Sequence, residues 1–206
     1  MTTSTVSQTG LWFVLPEQMY PIALDEGSRE RATRSYEHLM RTIPGLTPAQ
    51  CLNLVTAQQN ALATLLHEGA VYLATCVANS DARPGTLVTA QFGILLRTVA
   101  GLGDRPLKGI ARRLAAQPKR RDIRFTTLPA GEALIVDEAV EDTEFDADLE
   151  DLPVAGSARC VQVILPFRDR SRIASLMLSS TNLADWAGCV DLLLTIARSV
   201  TFTDPT

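Results

Sequence analysis

The sequence predicts a single α+β domain in which a mostly antiparallel sheet is covered by helices. Three observations predict this class. The 206 residues are 46% hydrophobic, which suits one domain of ordinary globular composition. Short runs rich in β-branched residues come in pairs that turn residues separate, a pattern typical of hairpins and hence of antiparallel strands. Longer runs between them have the 3.6-residue periodicity of amphipathic helices.

The chain begins with small polar residues and then a compact strand. Residues 1–10 lack apolar periodicity and predict a disordered lead, followed by a single domain over 11–203. The segment LWFVLP (11–16) predicts a strand that its proline ends, and 20–24 predicts a continuation at a sheet edge.

Two helices are predicted before the first hairpin. The apolar residues of 28–43 recur on one side of a 3.6-residue helix. Thr47 can cap the second helix, and Gln50 three residues later completes a capping box. This helix is predicted to run to about His67.

The rest of the chain predicts three hairpins and two further helices. A short helix is capped by Asp104 and ends before Pro118, and 182–200 forms the last helix. The short helix has four residues predicted to face inward: Leu107, Ile110, Ala111 and Leu114. The predicted hairpins pair 70–79 with 85–99, 123–128 with 132–140, and 159–167 with 172–180.

The stretch SSTNLADW (179–186) has two interpretations, a catalytic serine or the start of a helix. A nucleophile elbow needs glycines around its serine, and none are present. Only His38 and His67 could serve as a base, and neither belongs to a recognisable motif. We therefore expect Thr181 or Asn182 to cap the last helix, since capping needs only the residues in the stretch.

The four cysteines give no sign of a metal site. They are Cys51, Cys76, Cys160 and Cys189, and no two have the short spacing of zinc ligands. We expect four reduced thiols in a cytoplasmic protein, with no cofactor, no metal ligand and no catalytic residue. The start of the chain lacks the cations of a signal peptide, and no apolar run is long enough to span a membrane.

Charge is segregated along the chain, although the net charge is only −4. Eight of the 19 basic residues lie in 105–124, and ten of the 23 acidic residues lie in 132–151. The acidic loop 141–157 lacks the glycine and glutamate of a calcium-binding EF-hand. The basic run predicts a docking surface for an acidic partner, unless the two runs neutralise each other or stay solvated. Its candidate partner-binding residues are Lys108, Arg112, Arg113, Lys119, Arg120 and Arg121.

Four segments carry a resemblance to known proteins: LWFVLPEQMYPIAL, LPAGEALIV, VQVILPF and LMLSSTNLADWAGCVDLLLTIARSV. With the predicted order of elements, they resemble the PsbP-like fold of a photosystem extrinsic protein and a nuclear Ran-binding release factor. They resemble small actinobacterial proteins more specifically. The resemblance implies an α/β/α sandwich with a non-enzymatic binding or assembly role, and it implies no active-site residue. The helices 28–43 and 47–67 depart from that pattern, so a secretion-chaperone-like α+β dimer is the alternative fold.

These observations predict a cytoplasmic, adaptor-like or chaperone-like module that binds another protein. They are also compatible with a homodimer, and they predict no membrane partner. One alternative is a small-molecule-binding protein or minor enzyme with a cleft between sheet and helices. Its candidates are Cys76, Cys160, Tyr72 and His67. The other alternative is a weak nucleic-acid binder through 105–124, for which the segment offers few aromatic residues.

Overall fold

A computed structural model describes residues 2–6, 10–98, 106–140 and 158–203, and it confirms the α+β class. The strands are β1 Thr2–Val6, β2 Leu11–Leu15, β3 Met19–Pro21, β4 Ala70–Asn79, β5 Leu87–Thr98, β6 Arg121–Leu128, β7 Gly131–Val140, β8 Ala158–Pro166 and β9 Arg172–Ser180. The helices are α1 Ser28–Thr42, α2 Pro48–His67, α3 Pro106–Ala115 and α4 Trp186–Ser199.

Seven strands form one antiparallel sheet in the order β3-β4-β5-β9-β8-β7-β6. The three predicted hairpins are confirmed as β4–β5, β6–β7 and β8–β9. Strands β1 and β2 form a separate antiparallel pair, so Thr2–Val6 are a strand where the sequence predicted a disordered lead. Backbone bonds of 3.0 and 2.9 Å between Trp12 and Thr201 join β2 to the chain after α4.

Helices cover both faces of the sheet. The first face packs against β2 and α4, with Phe13, Phe92 and Leu193 at the centre of its core. On the second face, α1 and α2 cover the end near β3–β5, while α3 covers the end near β6–β8. Leu107 of α3 is buried there, and Ile110, Ala111 and Leu114 pack against the same cluster, as predicted.

The predicted capping box starts α2. Thr47 Oγ1 accepts a bond from the Gln50 backbone N–H at 3.3 Å, and Gln50 Oε1 accepts one from the Thr47 N–H at 3.0 Å. The helix ends at His67, and Gly69 two residues later has a positive φ of 85°, which favours glycine. Among the described residues, no helix has the length and apolar character needed to cross a membrane.

The start of α4 differs from its prediction. A short 3₁₀ turn, Leu183–Asp185, precedes the helix, and neither Asn182 nor Asp185 makes a capping bond at its N-cap position. Asn182 instead bonds to β5: its Oδ1 accepts from the Thr89 N–H at 2.9 Å, and its Nδ2 donates to the Leu87 carbonyl at 3.3 Å. Asn182 therefore bonds to the hairpin β4–β5, whereas the sequence predicted that Thr181 or Asn182 caps the last helix.

Candidate interaction surface

Five exposed cations form what we call the basic surface. They are Lys108, Arg112 and Arg113 on α3, with Lys119 and Arg120 in the turn before β6. No ion pair joins any of them to another described residue. The opposite side of α3 is its apolar contact with the sheet, so the helix presents its positive charges outward.

Arg121, the sixth residue predicted to bind a partner, lies at the start of β6 and is not exposed like the other five. Its side chain is 7% exposed and forms an ion pair with Glu138, which lies directly opposite it on β7. It also donates to the Leu114 carbonyl at 3.1 Å and to Gln117 Oε1 at 2.8 Å. Arg121 therefore fastens the end of α3 to the sheet, and it does not belong to the basic surface.

Arg121 ends a row of polar and sulfur-bearing side chains that crosses the second face of the sheet. Each member lies directly opposite the next on the neighbouring strand: Tyr20, Thr75, Gln91, Ser179, Cys160, Glu138 and Arg121. Gln58 of α2 donates to Thr75 Oγ1 at 2.6 Å, and Thr75 donates to Gln91 Oε1 at 2.8 Å. Sequence reasoning missed this row because it appears only when the register of six strand pairs is known.

A groove of about 200 Å³ lies on the second face between α2 and α3. Strands β5, β8 and β9 form its floor, where Ser175 Oγ donates to Gln162 Oε1 at 3.4 Å. Ile110 of α3 lines one side, and the Glu68–Arg97 ion pair (3.5 Å) lines the other. The groove is smaller than a typical cofactor or drug-sized ligand site of about 300–1,000 Å³.

The buried thiols are poor candidates for nucleophilic chemistry. Burial raises the pKa of Cys76 to about 11 and that of Cys160 to about 12. A thiol that stays protonated is a weak nucleophile and a weak metal ligand. The described residues contain no group of three or more metal-ligating side chains.

The other candidate chemical residues are not brought together. Cys76 packs in the core under α4, whereas Cys160 belongs to the row on the opposite face. Tyr72 lies edge-on against Phe13, with ring centroids 4.9 Å apart, and His67 is exposed at the end of α2. These four candidates therefore do not form one cleft site.

The stretch 179–186 anchors α4 to the hairpin β4–β5. Ser180 Oγ donates to the Thr89 carbonyl at 2.6 Å. Asp185 accepts bonds from Ser80 Oγ at 2.7 Å and from the Ala82 N–H at 3.1 Å. The Ser80 hydroxyl and the Ala82 N–H hold the pKa of Asp185 below its ordinary value. The bonds of these residues explain the polar stretch without a catalytic base.

Strand β6 lies beside the basic surface at an edge of the sheet. Among the described strands it pairs only with β7. Phe125 is 56% exposed on this strand, and Asp122 forms an exposed ion pair with Arg124 at 3.0 Å. The edge therefore combines an exposed ring with a locally neutral pair of charges.

No family model matches the chain, and no curated protein matches it. The PsbP-like resemblance therefore stays a prediction. The predicted acidic loop 141–157, with its candidate calcium site, lies outside the described residues.

Proposed function

We propose that this protein is a non-enzymatic interaction module whose basic surface binds an acidic region of a partner protein. The observation that supports the proposal is the set of five exposed cations that have no ion-pair partner among the described residues. Positive charge concentrated on one helix and the adjoining turn attracts an oppositely charged surface and orients its approach.

The features around the basic surface favour a protein over a nucleic acid. Among the described residues, Phe125 is the one exposed large aromatic side chain, whereas single-stranded nucleic acids bind to platforms of several aromatic rings. The net charge of −4 also opposes long-range attraction of a polyanion, although a local acidic segment can still bind.

The proposal extends to fold family and location. We propose an adaptor-like or chaperone-like assembly role within a PsbP-like family and in the cytoplasm. The layered α+β architecture is compatible with that family, and four unpaired, buried cysteines suit a reducing compartment.

The test compares capture of partners by three forms of the intact chain. In the surface variant, Lys108, Arg112, Lys119 and Arg120 are all changed to Gln, which removes charge and preserves helix propensity. In the control variant, the same change is made at four exposed arginines elsewhere: Arg29, Arg41, Arg168 and Arg198. Arg121 is left intact because its ion pair is structural.

We expect proteins captured by the wild type to be retained by the control variant and lost from the surface variant. The retained proteins should also carry acidic regions and dissociate as salt is raised. Equal capture by both variants, or capture of nucleic acid alone, would contradict the proposal.

A further inference from the structure

We propose that the acidic partner binds as an added β-strand, with an extended segment pairing along the edge of β6 that no other described strand covers, and extending the seven-stranded sheet by one strand. The proposal rests on the proposed function, because the basic surface lies next to this edge. It adds the mode of binding and the shape of the partner segment: extended, acidic and strand-forming.

The two edges of the sheet differ in their capacity to accept a strand. At one edge, β3 has only three residues and contains Pro21, which cannot donate a backbone hydrogen bond. At the other, β6 has eight residues and no proline. Its β-branched and aromatic residues suit an extended conformation. Among the described residues, the sheet is therefore protected at β3 and open at β6.

The side chains of β6 are also suited to a neighbouring strand. Ile123 and Phe125 project from the same face as α3, because they share the face of Arg121 in the pairing with β7. Ile123 already packs in the cluster under α3, whereas Phe125 is more than half exposed. An added strand would cover the Phe125 ring with alternate apolar residues.

Charge decides between an acidic partner and a second copy of this chain. Lys119 and Arg120 immediately precede β6, and α3 carries the remaining cations of the basic surface beside the strand. Pairing of β6 with β6 of a second copy would place two basic surfaces beside one junction, which like-charge repulsion opposes. An acidic strand meets the same cations with attraction.

The experiment uses selection from a library of short random displayed peptides against the intact protein. Strand addition depends mainly on backbone hydrogen bonds and therefore tolerates many peptide sequences. A random library thus contains peptides that can pair with an exposed strand edge. We expect enrichment of peptides rich in Asp and Glu. The enriched peptide, synthesised and added to isotope-labelled protein, should slow amide exchange at alternate residues of β6 by about tenfold or more.

Two controls separate the inference from the proposed function. The same peptide with alternate amides N-methylated keeps its charge but cannot form the ladder, so we expect at least about tenfold weaker binding. The variant with Lys119 and Arg120 changed to Gln should weaken binding of the unmodified peptide through charge alone.

Each contrary outcome has a defined meaning. Equal binding of the N-methylated peptide, with exchange in β6 unchanged, overturns strand addition and leaves the basic surface as a docking site. If selection against the wild-type protein enriches acidic peptides no more than selection against the surface variant does, both proposals are overturned. A dimer formed without peptide, with the amides of β6 protected from exchange, overturns the acidic strand in favour of a second copy.

Discussion

At the scale of single residues, burial separates two ion pairs that lie close together in sequence. Arg121 and Glu138 have side chains that are 7% and 14% exposed, whereas Arg124 and Asp122 are each more than half exposed. Breaking a buried pair leaves a desolvated charge without a partner, while an exposed pair returns to water. The sequence shows four similar charged residues, and the fold gives them different roles.

We predict that Arg121→Met lowers the free energy of unfolding by about 3 kcal/mol, because Glu138 is left largely shielded from water and unpaired. Urea unfolding measures this change. Adding Glu138→Leu should restore much of the loss, since an apolar pair removes the stranded charge. The matched control Arg124→Met should change stability by less than about 1 kcal/mol. Equal losses for Arg121→Met and Arg124→Met would contradict the assigned structural role of Arg121.

Asp185 gives a prediction that depends on pH. The Ser80 hydroxyl and the Ala82 N–H lower its pKa in the folded state. Because the folded pKa lies below the unfolded one, its contribution to stability is present above the unfolded pKa and is lost as pH falls through the folded pKa. We predict that Asp185→Asn lowers the Tm at neutral pH and that this difference from the wild type closes in acid. A difference that is independent of pH would argue against the charged form.

At the scale of elements, the sequence predicted what depends on neighbouring residues along the chain. The bounds predicted for β4 (70–79) and β9 (172–180) match the structure, because turn residues flank both strands. The capping box at Thr47 was also predicted, since all its members lie within four residues. The cap of α4 was predicted wrongly, because Asn182 bonds to a hairpin more than ninety residues away in sequence.

The same limit applies to the candidate site. The basic run contains the five members of the basic surface. Helix periodicity predicts the exposure of Lys108, Arg112 and Arg113, while Lys119 and Arg120 lie in the turn that follows α3. The different role of Arg121 could not be predicted, because its partner Glu138 is fixed by the register of β6 with β7. The position of β6 at the edge of the described sheet also could not be predicted, because it depends on the order of all seven strands.

Two glycines test how closely the elements pack. A Cβ atom at Gly93 of β5 would lie 3.2 Å from Leu73 Cδ2 and 3.5 Å from Leu65 Cδ1 of α2. We predict that Gly93→Val lowers the free energy of unfolding by about 1–3 kcal/mol through overpacking between α2 and the sheet.

The matched control is Gly188 of α4, where no other described residue apart from its own helix neighbours lies within 4 Å of an added Cβ. Gly188→Ala should raise stability by up to about 1 kcal/mol, because alanine has a higher helix propensity than glycine and loses less backbone entropy on folding. Denaturant unfolding of both variants measures the contrast. A stable Gly93→Val variant would mean that α2 does not pack tightly over β5.

At the scale of the whole molecule, an acidic chain carries a local surface of opposite sign. The net charge is −4, yet five cations are exposed together on α3 and the turn before β6. The second face of the sheet lies beneath this surface, and the ion pair of Arg121 with Glu138 lies on it next to the end of α3. This arrangement places a charged, solvent-facing helix on the sheet, beside a sheet edge that remains open within the described residues.

The most direct test is the salt dependence of binding to an acidic partner recovered with the wild-type protein. Calorimetric titration from about 0.05 M to about 0.3 M salt spans the range in which exposed charges become screened. We predict that wild type and the control variant lose affinity steeply over this range. The surface variant should bind weakly throughout and show a much smaller slope. Equal affinity and equal slope for all three proteins would contradict the basic surface as the docking site.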